Sequence, residues 1–119
     1  MTAGSHERGT VRGCLACADP GQLLAWLASE RAKADEHAAR ATTLRAAGEE
    51  TGQRHLAAVI AGEGWKTLVA LQQEHLRLCG ESNAYAQRAL IIRGHADLVE
   101  AAHPQAVGPQ QSALFGAAS

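Results

Sequence analysis

Two short pairs of residues carry the most informative chemistry of the chain: Cys14 with Cys17, and His75 with Cys79. A Cys-x-x-Cys turn can present two thiolates to one ion, and residues four apart in a helix face the same way. Three thiolates and one imidazole suit tetrahedral Zn²⁺. The sequence therefore predicts a structural zinc site with Cys14, Cys17, His75 and Cys79 as its ligands, provided that the fold brings the two pairs together.

The elements that would position these residues are helices. Asp19 and Pro20 form a typical helix start, an N-cap followed by proline at the first helical position. We predict an all-α protein with helices at about 20–47, 53–79 and 83–102. The glycine-bounded segment 48–52 joins the first two as an antiparallel hairpin, and the third packs along it. The predicted signals between the second and third helices are Gly80, a C′ residue, and Ser82, an N-cap.

The predicted hairpin is what brings the metal ligands together. An antiparallel pair of about equal helices would place the start of the first helix beside the end of the second. Cys14 and Cys17 would then lie near His75 and Cys79. Helical periodicity predicts the buried side chains. They are Leu23, Leu24, Trp26, Leu27, Ala34, Ala38, Ala41, Leu44, Leu56, Val59, Ile60, Thr67, Leu68, Leu71, His75, Leu78, Cys79, Tyr85, Ala89, Leu90, Ile91, Ile92, Ala96, Leu98 and Val99.

Other readings of the cysteines and histidines stay open. Cys79 fits a small buried hydrophobe, and His75 a polar surface residue. A Cys-x-x-Cys before a helix also fits a redox pair, although the βαβ units of thioredoxin-like proteins are absent, and an iron–sulfur cluster is a further option. Glu100 and His103 form one Glu-x-x-His step, where a di-iron bundle needs two such steps. We expect that step to be a solvated helix end.

Composition bounds the class of protein. The chain has 119 residues, enough for one domain, with 11 basic and 12 acidic residues and a net charge of −1. Its arginines are scattered, so no nucleic-acid or anionic-membrane surface is expected. The N-terminus lacks the apolar centre of a signal peptide, and three cysteines favour a reducing compartment. We expect a cytoplasmic location, or one within an intracellularly assembled particle. We expect the chain to consist of an arm (1–13), a helical domain (14–103) and a tail (104–119).

Three functional classes follow from these features. We expect a non-enzymatic, zinc-stabilised helical module that binds a protein partner or a second copy, such as a small regulator or adaptor. The alternatives are a structural subunit of a larger assembly such as a phage virion, and a small thiol redox or metal-responsive protein. No small-molecule substrate is identified. We expect three large side chains in the core or at an intermolecular contact: Trp26, Leu27 and Trp65. The tail contains Leu114 and Phe115, which we expect either to anchor on a partner or to fold back on the core.

Overall fold

The structure, a computed structural model, describes residues 19–104 and contains two helices, α1 (Pro20–Ile60) and α2 (Trp65–Ala102). The helices pack against each other as a hairpin, so the predicted all-α class and helical hairpin are confirmed. The described residues form two compact units. We call residues 34–91 the turn unit, and residues 19–33 with 92–104 the terminal unit. The predicted arm and all of the tail beyond Pro104 lie outside the described residues.

The start of α1 is the one that the sequence predicts. The side-chain carboxylate of Asp19 accepts a hydrogen bond from the backbone N–H of Gln22 at 2.8 Å. The backbone carbonyl of Asp19 accepts the first helical bond, from the N–H of Leu23 at 3.0 Å. Asp19 is therefore the N-cap, and Pro20 occupies the first helical position, where a backbone N–H has no helical partner.

A glycine turn at residues 61–64 connects the helices. The N–H of Glu63 bonds to the carbonyl of Ala58 at 3.0 Å, and the N–H of Gly62 bonds to that of Val59 at 3.1 Å. This pair of bonds is the Schellman motif, which needs a residue with positive φ after the helix. Gly62 supplies it with a φ of 75°. The carbonyl of Gly64 then accepts the first bond of α2, from Leu68.

The predicted helix limits are corrected by this turn. Residues 48–52, expected to be the connection, are helical and lie inside α1. The predicted helix 53–79 is divided by the turn, and the predicted third helix, 83–102, is the second half of α2. Gly80 and Ser82 therefore lie within one continuous helix. Ser82 does not cap that helix, because its hydroxyl donates to the carbonyl of Ala41 on α1, at 2.7 Å.

The helix–helix seam is built largely from small residues. Along α1 the buried positions recur at intervals of three, four or seven residues, and α2 repeats the pattern. This is the spacing of a coiled-coil seam. The buried hydrophobic residues among those described are Leu23, Leu27, Ala34, Ala41, Leu44, Ala58, Leu78, Ala89, Ala96 and Val99. Half of them are alanines, whose short side chains let the two backbones approach closely.

The seam is narrower than the predicted core. Seven large apolar side chains expected to be buried are exposed: Leu24, Leu56, Val59, Ile60, Leu90, Ile91 and Leu98. Thr67 is exposed as well. A seam between two helices covers only a narrow stripe of each, and these residues stand outside that stripe. Of the two tryptophans, Trp26 packs against the core cluster of the terminal unit, whereas Trp65 is 70 % exposed.

Candidate functional site

His75 and Cys79 face α1 near the middle of the turn unit. Nδ1 of His75 lies 2.6 Å from the carbonyl oxygen of Gly48. A carbonyl only accepts, so Nδ1 carries the proton and donates it, which leaves the lone pair on Nε2. Sγ of Cys79 lies 3.9 Å from that nitrogen. Sγ also lies 3.8 Å from Nδ1, so it is about equally far from both ring nitrogens and is not in line with the lone pair of Nε2. A side chain would have to rotate before one Zn²⁺ could bind both groups.

Two glycines of α1 make room for this pair. A Cβ on Gly48 would lie 3.1 Å from Sγ of Cys79, and a Cβ on Gly52 would lie 3.1 Å from both Cε1 and Nδ1 of His75. Any larger residue would push the imidazole or the thiol away from α1. The glycines, one helical turn apart, therefore leave the space on α1 that the side chains of His75 and Cys79 occupy.

The four-ligand zinc site remains a prediction. Cys14 and Cys17 lie outside the described residues. The expected meeting of the two pairs depended on a turn at 48–52, and that turn is at 61–64 instead, so this argument no longer supports the meeting. Within residues 19–104, no group of three or more His, Cys, Asp or Glu side chains is arranged to hold a metal ion.

The most exposed feature of the turn unit is apolar. We call its six side chains the turn patch: Leu56, Val59, Ile60, Trp65, Val69 and Leu76. Ile60 and Trp65 are 78 % and 70 % exposed, and Leu76 is 60 % exposed. Sequence periodicity assigned Leu56, Val59 and Ile60 to the core, because it could not show that the chain turns directly after them. The relevant signal was the pair Gly62 and Gly64.

Helical spacing places the turn patch mainly on one side of the hairpin. Gly48 and Gly52 of α1 oppose His75 and Cys79 of α2. Leu56 and Val59 follow Gly52 by four and seven residues, and Leu76 precedes Cys79 by three, so they continue along that side. We call this side the neutral flank. It comprises Gly52, Gln53, Leu56, Val59, Ile60, Trp65, Val69, Gln72, Gln73, Leu76, Cys79, Gly80, Asn83, Ala86, Gln87 and Leu90.

Over residues 52–60 and 69–90 the neutral flank contains no acidic or basic side chain, and the same helical spacing reaches charged residues only beyond these ranges, at Arg45, Glu49 and Lys66. Other surfaces of the turn unit are charged. Arg77 pairs with Glu74 and Glu81, and Arg54 pairs with Glu50 at 3.7 Å. The hydrogen bond from Arg77 lowers the pKa of the exposed Glu74 carboxyl below its ordinary value. The guanidinium groups of Arg40 and Arg88 lie 5.8 Å and 4.9 Å from the ring centre of Tyr85. The turn unit therefore has separate charged and neutral surfaces.

The terminal unit contains an ion-pair cluster that the sequence did not indicate. Both terminal nitrogens of Arg31 bond to the Glu100 carboxylate at 3.2 Å, and one also reaches Asp97 at 2.9 Å. The hydrogen bond with Glu100 is the main reason that the pKa of Arg31 is raised. Glu100, expected to be a solvated helix end, thus ties α2 to α1. The partners are 69 residues apart, too far for any local pattern to pair them.

Neither described helix, α1 nor α2, contains an apolar stretch long enough to cross a membrane. Comparisons with protein families, with curated proteins and with solved structures gave no match to this chain.

Proposed function

We propose that this chain is a non-enzymatic helical interaction module that acts by presenting an apolar surface to another protein chain. The observation that carries this proposal is the turn patch. An exposed apolar cluster around a tryptophan is a common feature of protein-binding surfaces, in which Trp, Tyr and Arg contribute most of the affinity. Burying one large exposed apolar side chain contributes roughly 1.5–3 kcal/mol.

The hairpin itself supports binding through a rigid surface. Seam residues hold α1 and α2 together on one side of each helix. The residues outside the seam therefore have fixed positions along the two neighbouring helices. Trp65 begins α2 immediately after the Gly62–Gly64 turn, next to Ile60 at the end of α1. When an apolar partner surface covers the turn patch, this chain loses little conformational entropy, because its helices are already formed.

The test compares surface variants of the full chain, tagged and expressed in its native host, with captured proteins identified after crosslinking. Leu76→Asp places a charge inside the turn patch. Ile91→Asp is the matched control, because Ile91 is 68 % exposed in the same unit but stands outside the neutral flank. We expect Leu76→Asp to lose crosslinked partners, or crosslinks to other copies, that Ile91→Asp keeps. Identical profiles for wild type and both variants would contradict the proposal.

A further inference from the structure

We infer that the neutral flank is the surface through which two copies of this chain associate, with each copy covering the turn patch of the other. This rests on the proposed function and names the occupant of the surface. Three properties of the flank carry it: its lack of charge, its area and its shape.

The lack of charge indicates what kind of surface covers the flank. From Val69 to Leu90 the flank offers only apolar side chains, small residues and the amides Gln72, Gln73, Asn83 and Gln87. An acidic or basic partner would find opposite charge only beyond this stretch, at Arg45, Glu49 and Lys66, and would lose hydration of its own charges over the rest. A second copy presents the same neutral side chains, and glutamine and asparagine amides can both donate to and accept from their counterparts.

The area is sufficient for a dimer. Allowing for the exposed fraction of each side chain, the turn patch leaves roughly 600–700 Å² accessible, close to the ~800 Å² that each partner contributes to a stable interface. The amides and small residues of the flank add to this total. No additional protein is needed to reach the size of an ordinary interface.

The shape follows from the helices. Two helical hairpins that face each other through one flank form a four-helix bundle, in which residues left outside each two-helix seam become the core between the pairs. Twofold symmetry uses the same surface patch on both copies, as one self-complementary flank requires. Gly80 has no side chain beyond hydrogen, and a Cβ there would meet nothing within 4 Å, so this position offers space for a large residue of the second copy such as Leu76.

Analytical ultracentrifugation of the purified full chain under reducing conditions is the primary test. We expect a dimer at about 10–100 µM and a dissociation constant at least ~100-fold weaker for Leu76→Asp, since the variant loses apolar burial and buries a charge. Gln73→Glu adds a charge without removing an apolar side chain and should weaken association in the same direction. Ile91→Asp is the control and should associate as wild type does. Helix content by circular dichroism checks that each variant is folded.

Tryptophan fluorescence gives an independent readout. In a Trp26→Phe background the emission comes from Trp65, which is 70 % exposed in the single chain. Association should shift its emission to shorter wavelength as the protein concentration rises, with the same midpoint as in sedimentation. A midpoint in sedimentation without any change in Trp65 emission would place the contact elsewhere and overturn the inference.

The remaining outcomes separate this inference from the proposed function. A wild-type chain that is monomeric at about 100 µM overturns the inference, because an interface of this size would give measurable association there. The proposed function would then stand only if Leu76→Asp still abolished capture of a different protein in the native host. A dimer weakened equally by Leu76→Asp and Ile91→Asp, or by neither, also overturns the inference.

Discussion

Replacing Gly52 by alanine should destabilise the hairpin, even though alanine is the better helix former. Gly52 lies within α1, and the imidazole of His75 covers the space where its side chain would be. The new Cβ would stand 3.1 Å from two ring atoms of His75. The ring would have to move away from α1, although its hydrogen bond to the Gly48 carbonyl holds it there at 2.6 Å.

The size of the effect is a difference between opposing contributions. Alanine in place of glycine inside a helix stabilises by roughly 1 kcal/mol. Crowding a packed contact costs about 1–3 kcal/mol, and a weakened hydrogen bond to His75 costs a further ~1 kcal/mol. The expected net result is a decrease of about 1–3 kcal/mol in the free energy of unfolding, since the steric and hydrogen-bond costs exceed the gain in helix propensity.

Urea unfolding followed by circular dichroism measures this change, at one fixed protein concentration because association also stabilises the fold. Gly94→Ala is the matched control. Gly94 is also inside a helix, but a Cβ there would meet nothing within 4 Å. The control should therefore gain roughly the full 1 kcal/mol of helix propensity. Gly52→Ala combined with His75→Ala should regain that benefit relative to His75→Ala alone.

The reasoning is wrong if Gly52→Ala stabilises the chain as much as Gly94→Ala does. That result would mean that His75 does not rest against Gly52. A large loss for Gly52→Ala that persists in the His75→Ala background would point to a backbone conformation at Gly52 that alanine does not tolerate.

Three further changes test other parts of the turn unit. Gly62→Ala should cost about 1–2 kcal/mol in urea unfolding, because its φ of 75° is unfavourable for alanine although its surroundings are open. Ser82→Ala should cost roughly 1 kcal/mol by losing the bond to the carbonyl of Ala41, and an unchanged unfolding midpoint would argue against that bond. Because Arg77 lowers the pKa of Glu74, this pair adds stability above the unfolded-state pKa of about 4.3, and the contribution is lost as the pH falls through the folded-state value. Glu74→Gln should therefore reduce the change in the free energy of unfolding between neutral and acidic pH.

The sequence predicts well those features that depend on neighbouring residues. The N-cap at Asp19 followed by Pro20 is a local signal, and α1 begins as it predicts. The seam positions Ala89, Ala96 and Val99 were identified from their spacing, because the helical period holds whether or not a turn precedes them. Local chemistry and period therefore gave the fold class and much of the seam.

The position of the turn could not be settled by the presence of glycine alone. The chain has glycines at 48 and 52 and again at 62 and 64, and either pair can end a helix. The spacing carries information that composition does not. Residues four apart share one face of a helix, so the first pair can line a contact, whereas residues two apart do not share a face. Which pair forms the turn depends on contacts with α2, in particular those of His75, 23 residues beyond Gly52 along the chain.

The turn's position also changes the reading of the apolar residues. A turn at 48–52 would have left Leu56, Val59 and Ile60 in the first turns of a central helix covered by neighbours on both sides. The turn at 61–64 places them at the end of α1, beside Trp65 and the start of α2. The alanine-rich seam already fills the space between the two helices, so it cannot also accommodate these large side chains. They remain on the neutral flank, where burial requires a second protein surface. The glycine turn at 61–64 therefore takes Leu56, Val59 and Ile60 out of the predicted core. It places them on the surface on which both the proposed function and the proposed dimer depend.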